Sequence, residues 1–375
     1  MLNLARNNEE LDLLIHLCCS LTPGIGPTKF SKLKNIFDNP INLLQTDINT
    51  LSKVVGDKEA RALITNLNSL DLHKLLDSYK KNNITVLSQN SLHYPTRLKE
   101  IFNPPICLYV KTNAPMDYFA NCLKMNTVLA IVGSRKYTNY GKVATEMIVG
   151  ELSKHEVTIV SGLALGIDSI AHQSSLKLDV HTCAILGCGV DVIYPNENKY
   201  LYESILQNNG AIISEFPPGT NPSKGTFIAR NRIISGISIG TIIVEGDKKS
   251  GALVTAGFAA EQGRDVFAIP GPMTSSLSQA PLSAIRNGAY IITQPEDVTQ
   301  YYRLNNNNQK IKNYPKFEGF EEQIYMLISM EPHFVDDIAK KLNIPTSQTI
   351  STLGKLEIKQ LIEKDELGKY CVSSI

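Results

Sequence analysis

The chain has 375 residues, with 37 Lys and Arg against 36 Asp and Glu, for a net charge of +1. That length holds two or three domains, and the near balance of charge opposes a protein that coats duplex DNA while leaving room for one local basic pocket. Nothing reads as a membrane span or a signal peptide, and Cys18, Cys19, Cys107, Cys122, Cys183, Cys188 and Cys371 form no C-x-x-C pair and no zinc spacing, so reduced thiols in a cytoplasmic protein without metal or cofactor are expected.

Residues 1–82 carry apolar positions at helical spacing, as in Leu11, Leu14, Ile15 and Leu17. Gly24-Ile25-Gly26 reads as a turn between two helices. It resembles the helix-hairpin-helix (SAM-like) element, whose backbone N–H groups meet a DNA phosphate. A plain helix–turn–helix packing unit is the alternative. A second hairpin is expected near Leu51–Gly56, in degenerate form. From Asn83 to Asn126, Ile84–Leu87 and Ile106–Val110 read as short strands punctuated by Tyr94-Pro95 and Pro104-Pro105.

The middle of the chain alternates strand and helix patterns. Strand-like runs are Val128–Val132, Val157–Val160, Thr182–Leu186, Ala211–Ser214, Thr241–Val244, Val266–Ile269 and Ala289–Ile292. They are apolar on both faces, as a parallel sheet covered by helices requires. The fold class is α/β: an extended Rossmann-like, doubly wound, mainly parallel sheet, with ligands at the carboxyl ends of its strands. It is expected to occupy residues 83–302. Residues 303–317, with Asn305–Asn308, read as a polar linker. In 318–375, Glu321–Ser329, Val335–Leu342 and Ser347–Ile362 read as helices and Gly368–Val372 as a β wing, the order of a winged helix. Asp336, Asp337, Glu357, Glu363, Asp365 and Glu366 make this part acidic, so protein contact or packing competes with groove reading.

Chemistry concentrates at the strand ends. Gly133-Ser134-Arg135 follows the first core strand; small residues let backbone N–H groups approach an oxyanion, and an arginine fork grips phosphate. The alternative is a tight turn with a surface arginine. Ser161-Gly162 repeats the device after the next strand. Asp168 and His172 share a helix face, either as an acid/base pair or as an internal bond that orders the turn. Arg230, Asn231 and Arg232 open an apolar helix, with Phe227 able to stack on a base or to sit in the core. Lys224 precedes them as a phosphate contact or a solvated loop residue. Glu245 ends a strand, and Ser250-Gly251 begin a helix. No P-loop is present, and Gly187-Cys188-Gly189 lacks the third glycine of a dinucleotide fingerprint.

The blocks AIVGSRKYTNYG, VSGLALGIDSIAH, LGCGVDVIYPNEN, AIISEFPPG, FIARNRIISGIS, IVEGDKKSGALVTA, GRDVFAIPG and NGAYIIT lie in order between about Leu129 and Ile292. Together they resemble the DNA-processing protein A (Smf) family. The resemblance implies a single-stranded-DNA-binding protein without catalytic turnover. Such a protein protects incoming strands in natural transformation, helps load a RecA-type recombinase, and forms a homodimer. By motif match Gly133, Ser134, Arg135, Ser161, Gly162, Phe227, Arg230, Asn231 and Arg232 line its pocket, with Lys224 added from position and charge. The chain departs from the family pattern where Leu165 and Ala229 replace basic residues. A competing enzyme reading is a nucleoside-monophosphate phosphoribohydrolase on the related fold, with Glu245 and Arg232 as its catalytic pair. A third is an adaptor acting through the winged module.

Overall fold

The structure is a computed structural model that describes residues 8–37, 42–43, 46–124, 127–304, 319–330, 332–359, 361–365 and 368–372. They fall into two compact units, divided between residues 311 and 312. The expected linker residues Asn305–Asn308 lie outside the described residues.

The first unit opens with α1 (Asn8–Leu21), α2 (Pro27–Phe37), α3 (Ile48–Val55), α4 (Asp57–Ser69) and α5 (Leu72–Lys81). Asp47 caps α3, accepting from the Asn49 and Thr50 amides at 2.9 and 3.1 Å, a cap worth about 1 kcal/mol. The turns between α1 and α2 and between α3 and α4 use Gly24 and Gly56 with φ of 83° and 99°, backbone that L side chains resist. Hairpins thus stand at both expected places. The break expected at Asn82 is not a gap in packing. Leu14, Leu17, Phe30, Leu63 and Tyr79 share one apolar cluster with Ile84, Val86, Cys107 and Tyr109.

Next come β1 (Ile84–Ser88), α6 (Thr96–Lys99), β2 (Cys107–Thr112), α7 (Met116–Lys124), β3 (Thr127–Val132), α8 (Asn139–Leu152), β4 (Val157–Ser161) and α9 (Ile167–Lys177). They are followed by β5 (His181–Ile185), α10 (Lys199–Gln207), β6 (Ala211–Ser214), α11 (Lys224–Ile237), β7 (Gly240–Ile243), α12 (Gly251–Glu261), β8 (Asp265–Ala268), α13 (Gln279–Arg286), β9 (Tyr290–Ile291) and α14 (Glu296–Tyr301). The strands form one sheet in the order β1-β2-β6-β5-β4-β3-β7-β8-β9. From β6 to β9 every pairing is parallel; β1 and β2 add antiparallel edges. Each strand-like run of the sequence is a strand, with ends shifted by no more than two residues. The central strands are buried along their whole length, which is why they read as unbroken apolar runs.

The second unit contains α15 (Glu321–Met330), α16 (Val335–Leu342), α17 (Thr346–Ile358), β10 (Ile362–Lys364) and β11 (Tyr370–Val372). The helix expected over Ser347–Ile362 ends early. Ile362 begins β10 and pairs antiparallel with Val372. Its burial beside Ile324, Leu353 and Tyr370 serves strand and helix equally well, so apolarity alone did not mark the boundary. No helix among the described residues is long and apolar enough to cross a membrane. All seven cysteines are free thiols, and all but Cys371 are buried.

Candidate nucleic-acid interface

Strand β3 lies between β4 and β7, so the chain winds away from it in both directions. A doubly wound sheet opens a crevice at the carboxyl ends of such strands. Here the crevice is an open cleft of about 860 Å³. Gly133, Ser134 and Arg135 enter it from β3, Lys224, Phe227, Arg230 and Asn231 from α11, and Ser250 and Gly251 from the start of α12. Two helix N-termini therefore border the cleft, where their dipoles favour negative charge. Both are firmly capped. Ser223 and Thr226 form a capping box on α11, and Ser250 accepts from the Ala252 amide on α12 at 3.2 Å.

The floor is rigid. A Cβ on Gly166, whose φ is 85°, would stand 2.2 Å from the Ser134 carbonyl oxygen, and one on Gly133 would meet Ile167 at 2.7 Å. Glycine at both positions lets the loops after β3 and β4 touch. The Ile167 amide seals that contact, donating to the Ser134 carbonyl at 3.1 Å. Asp168 accepts from the Gly162 and Ala164 amides at 3.1 and 3.4 Å. Burial raises its carboxyl above the usual range, and the Arg230 charge pulls it back. Arg230 is itself buried. Its Nη1 donates to the Gly162 carbonyl at 2.7 Å and to the Ile185 carbonyl, and its Nε donates to Asn231 Oδ1 at 3.1 Å.

The rim carries open charge. The exposed Arg135 guanidinium lies 5.5 Å from the centre of the Phe227 ring, within cation–π range. Lys136, Lys224 and Lys249 stand around the same opening and are exposed. Asp247 also reaches the rim, with Oδ1 accepting from the Lys249 amide at 2.8 Å.

Seven of the ten residues singled out in the sequence line this cleft: Gly133, Ser134, Arg135, Lys224, Phe227, Arg230 and Asn231. Ser161 lies beneath it, buried, its hydroxyl donating to the Ile131 carbonyl at 2.6 Å. Gly162 borders only a small neighbouring recess. Arg232 stands apart: it pairs with Glu215 and donates to the Asn103 carbonyl at 2.7 Å. Positions two apart on a helix point to nearly opposite sides, so Arg230 and Arg232 do not share a pocket. Glu245 is engaged elsewhere as well, its carboxylate accepting from the Thr138 amide at 2.9 Å and the Thr138 hydroxyl at 2.5 Å. The Glu245–Arg232 catalytic pair therefore does not form. Nor do Asp168 and His172 pair; His172 Nδ1 is bonded to Thr182 Oγ1 at 2.7 Å. Among the described residues no group of His, Cys, Asp and Glu is placed to hold a metal ion.

Tyr194, Lys136 and Lys249 also line the cleft and were not singled out. The lysines follow Arg135 and precede Ser250 directly, so adjacency was a usable signal. Tyr194 has no local signal, since it reaches the site on the loop after β5.

The model of the DNA recombination-mediator protein A family matches residues 85–303, which include every element of the cleft. Protein Smf of Synechocystis sp. is 37% identical over 278 residues, 74% of this chain and 69% of that one. The crystal structure of DNA processing protein A from Streptococcus pneumoniae superposes with a TM-score of 0.66 at 32% identity, covering 78% of this chain and 97% of that one. DNA processing protein A from Helicobacter pylori, whose structure describes a single-stranded-DNA binding mode, gives 0.52 at 30% identity, covering 59% and 95%. The chain belongs to the DNA recombination-mediator protein A family.

Proposed function

We propose that this chain binds single-stranded DNA in the cleft at the carboxyl ends of β3 and β7, without catalytic turnover. The observation that carries the reading is the Arg135 guanidinium 5.5 Å from the Phe227 ring, at the mouth of an opening bordered by three lysines. A guanidinium can hold a phosphate while the adjacent ring takes a base. A flexible single strand can present both at one point, whereas a duplex keeps its bases stacked inside. The single-stranded-DNA binding mode of the Helicobacter pylori relative supports the same reading. We assign Gly133, Ser134, Arg135, Lys224 and Phe227 to contact, and Ser161, Gly162, Arg230 and Asn231 to the floor that holds them in place. Arg232 anchors the far side of α11.

In this reading the protein is a cytoplasmic homodimer that shields an incoming strand and passes it to a RecA-type recombinase. The N-terminal helices, residues 1–82, are a helix-hairpin-helix relative used for packing. The Glu59 carboxylate stands over both hairpin glycines and pairs with Lys29 at 2.9 Å, where a DNA phosphate would otherwise sit. Residues 318–375 are a winged helix, supported by three helices, the β10–β11 pair and the His333–Tyr370 bridge.

Gel-shift titration of oligothymidylate, its duplex with oligoadenylate, and AMP turnover test the proposal together. Preference for the single strand, without base release from AMP, is the expected result. Equal affinity for both nucleic acids, or turnover abolished by Glu245→Gln, would replace it.

A further inference from the structure

A second cavity, of about 300 Å³, opens between α6 and α7 and shares no lining residue with the cleft. Helix α7 ends at Lys124 and β3 begins at Thr127, so this cavity lies at the amino end of β3, whereas the cleft lies at its carboxyl end. At about 3.3 Å per residue, roughly 20 Å of β3 separates the two. Tyr94, Pro95, Ala120 and Leu123 give the cavity apolar walls, while Arg97, Lys124 and His93 bring cationic groups to it. No carboxylate is among the described residues that line it.

The charges around it do not balance. Arg97 is half-buried. Its carbonyl accepts from Arg264 Nη2 at 2.9 Å, which brings a second guanidinium alongside. Its own guanidinium has no hydrogen bond or ion pair among the described residues. Burial and the Arg264 charge hold its pKa below the usual arginine range. The carboxylates nearby are already engaged: Glu100 pairs with Arg264 at 3.2 Å, and Asp117 with His93 at 2.5 Å. Arg264 Nε is buried and unbonded, and Lys124 is exposed. A half-buried cation beside a like charge is disfavoured until an anion joins it.

We propose that this cavity binds a phosphomonoester, with Arg97 and Lys124 holding the phosphoryl group and the Tyr94, Pro95 and Leu123 walls taking the organic body attached to it. A dianionic phosphoryl group matches two permanent cations, and the arginine fork presents parallel donors to its oxygens. A volume of this order, apolar walls and a few convergent polar groups are the ordinary make-up of a small-ligand site. Two sources present that chemistry: a free nucleoside monophosphate and the 5′-phosphorylated end of a DNA strand. The site is independent of the cleft and stands whether or not the cleft binds DNA.

Calorimetric titration of the full chain with dTMP and with thymidine tests it. The monophosphate should bind saturably and the nucleoside should not. Arg97→Ala and Lys124→Ala should each weaken dTMP binding about tenfold or more, and Arg97→Lys, which keeps the charge, should recover part of the loss. Arg135→Ala in the cleft should leave dTMP binding unchanged. Both cavity variants should bind unphosphorylated oligothymidylate as the wild type does. Arg97→Ala relieves the repulsion with Arg264, so it should melt no lower than the wild type; Lys124→Ala, at an exposed position, gives the same readout if it does. Oligothymidylate with and without a 5′-phosphate separates the sources. A preference for the phosphorylated strand that Arg97→Ala abolishes assigns the strand end, and equal affinity beside intact dTMP binding assigns the free nucleotide. The site is overturned if neither dTMP nor the 5′-phosphate is recognised, if thymidine binds as well as dTMP, or if dTMP binding is lost in Arg135→Ala and kept in Arg97→Ala and Lys124→Ala.

Discussion

The guanidinium of Arg230 packs against Gly162, so close that a Cβ on that glycine would stand 2.6 Å from Nη1 and 2.7 Å from Cζ. This contact, with the bonds to the Gly162 and Ile185 carbonyls, ties α11 to the ends of β4 and β5. Arg230 therefore builds the site from below. Arg230→Ala should strand Asp168 without its cationic neighbour and leave two carbonyls unsatisfied. Removing the compensating charge near a buried carboxylate together with the donor to two carbonyls costs about 3–5 kcal/mol, which should lower the melting midpoint by about 10 °C. A wild-type midpoint in thermal unfolding would remove Arg230 from the framework.

Gly162→Ala tests the same contact from the other partner. The added methyl must displace a guanidinium that is fastened on two sides. Overpacking of this kind costs about 1–3 kcal/mol. Gly162 is not among the glycines with a left-handed φ, so the cost there is that of the clash and not of the backbone. If Gly162→Ala is no less stable than the wild type, the close approach is not a constraint.

Arg135→Ala should behave in the opposite manner. Arg135 is exposed and bonds no carbonyl of the floor, so the fold should keep its midpoint. A charge-assisted contact is worth roughly 1.5–3 kcal/mol, so single-strand affinity should fall about tenfold or more, and the salt slope should fall by about 0.7. Filter binding at several salt concentrations measures both. A stable variant with unchanged affinity and slope would reduce Arg135 to a turn residue.

The contrast between these arginines also shows what the sequence discloses. Strands β3 to β8 are legible because a buried parallel strand has no polar face, and Gly133-Ser134-Arg135 is legible because it follows such a run directly. The roles of Arg230 and Arg232 are not legible in the same way. Which side of α11 meets the sheet depends on packing, and Glu215, the partner of Arg232, stands on another loop. Helical phase does predict that the two arginines diverge; it does not say which one faces the cleft. Tyr194 is hidden for a related reason. It is brought beside Phe227 by the crossover between β5 and β6, a contact that no local pattern records. The end of α17 was misplaced because Ile362 is buried in either state.

His172 gives the fold an acid-sensitive point. Thr182 Oγ1 donates to the Ile159 carbonyl at 2.9 Å, so it accepts from His172 Nδ1–H. The ring is held neutral with a bare, buried Nε2. Burial, with the Arg230 charge adding to it, pushes its pKa from 6.5 down to about 3. A histidine depressed in the folded state takes up its proton on unfolding. The stability it lends is complete above pH 6.5 and drains away as the pH falls toward the folded value. Between pH 6.5 and 4.5 the loss is about 2–3 kcal/mol. Asp168, with its carboxyl raised, acts with the opposite sign, so the comparison must be differential. The drop in urea midpoint from pH 7.5 to 4.5 should be smaller in His172→Gln than in the wild type. Equal drops would show that His172 does not titrate on unfolding.

The first unit should fold, self-associate and bind DNA without the second. Its last described turn belongs to its own core. Tyr302 donates to Asp265 at 2.8 Å, and the Leu304 amide donates to the Thr299 carbonyl at 2.9 Å while its side chain packs on the cluster around Phe267. A cut after Leu304 spares these contacts, whereas one after Tyr302 sacrifices part of them. No arginine follows Arg303 in the chain, and the cleft lies wholly within residues 132–277. A guanidinium-based grip on phosphate must therefore reside in the first unit. Truncation after Leu304 should keep single-strand affinity within about threefold, because the contacts that carry counterion release are all retained. Mass in solution by light scattering checks self-association, and a folded monomer would remove the homodimer from the proposal. If most affinity is lost while the circular dichroism of the sheet is intact, binding belongs to the second unit and the cleft at β3 is not the interface.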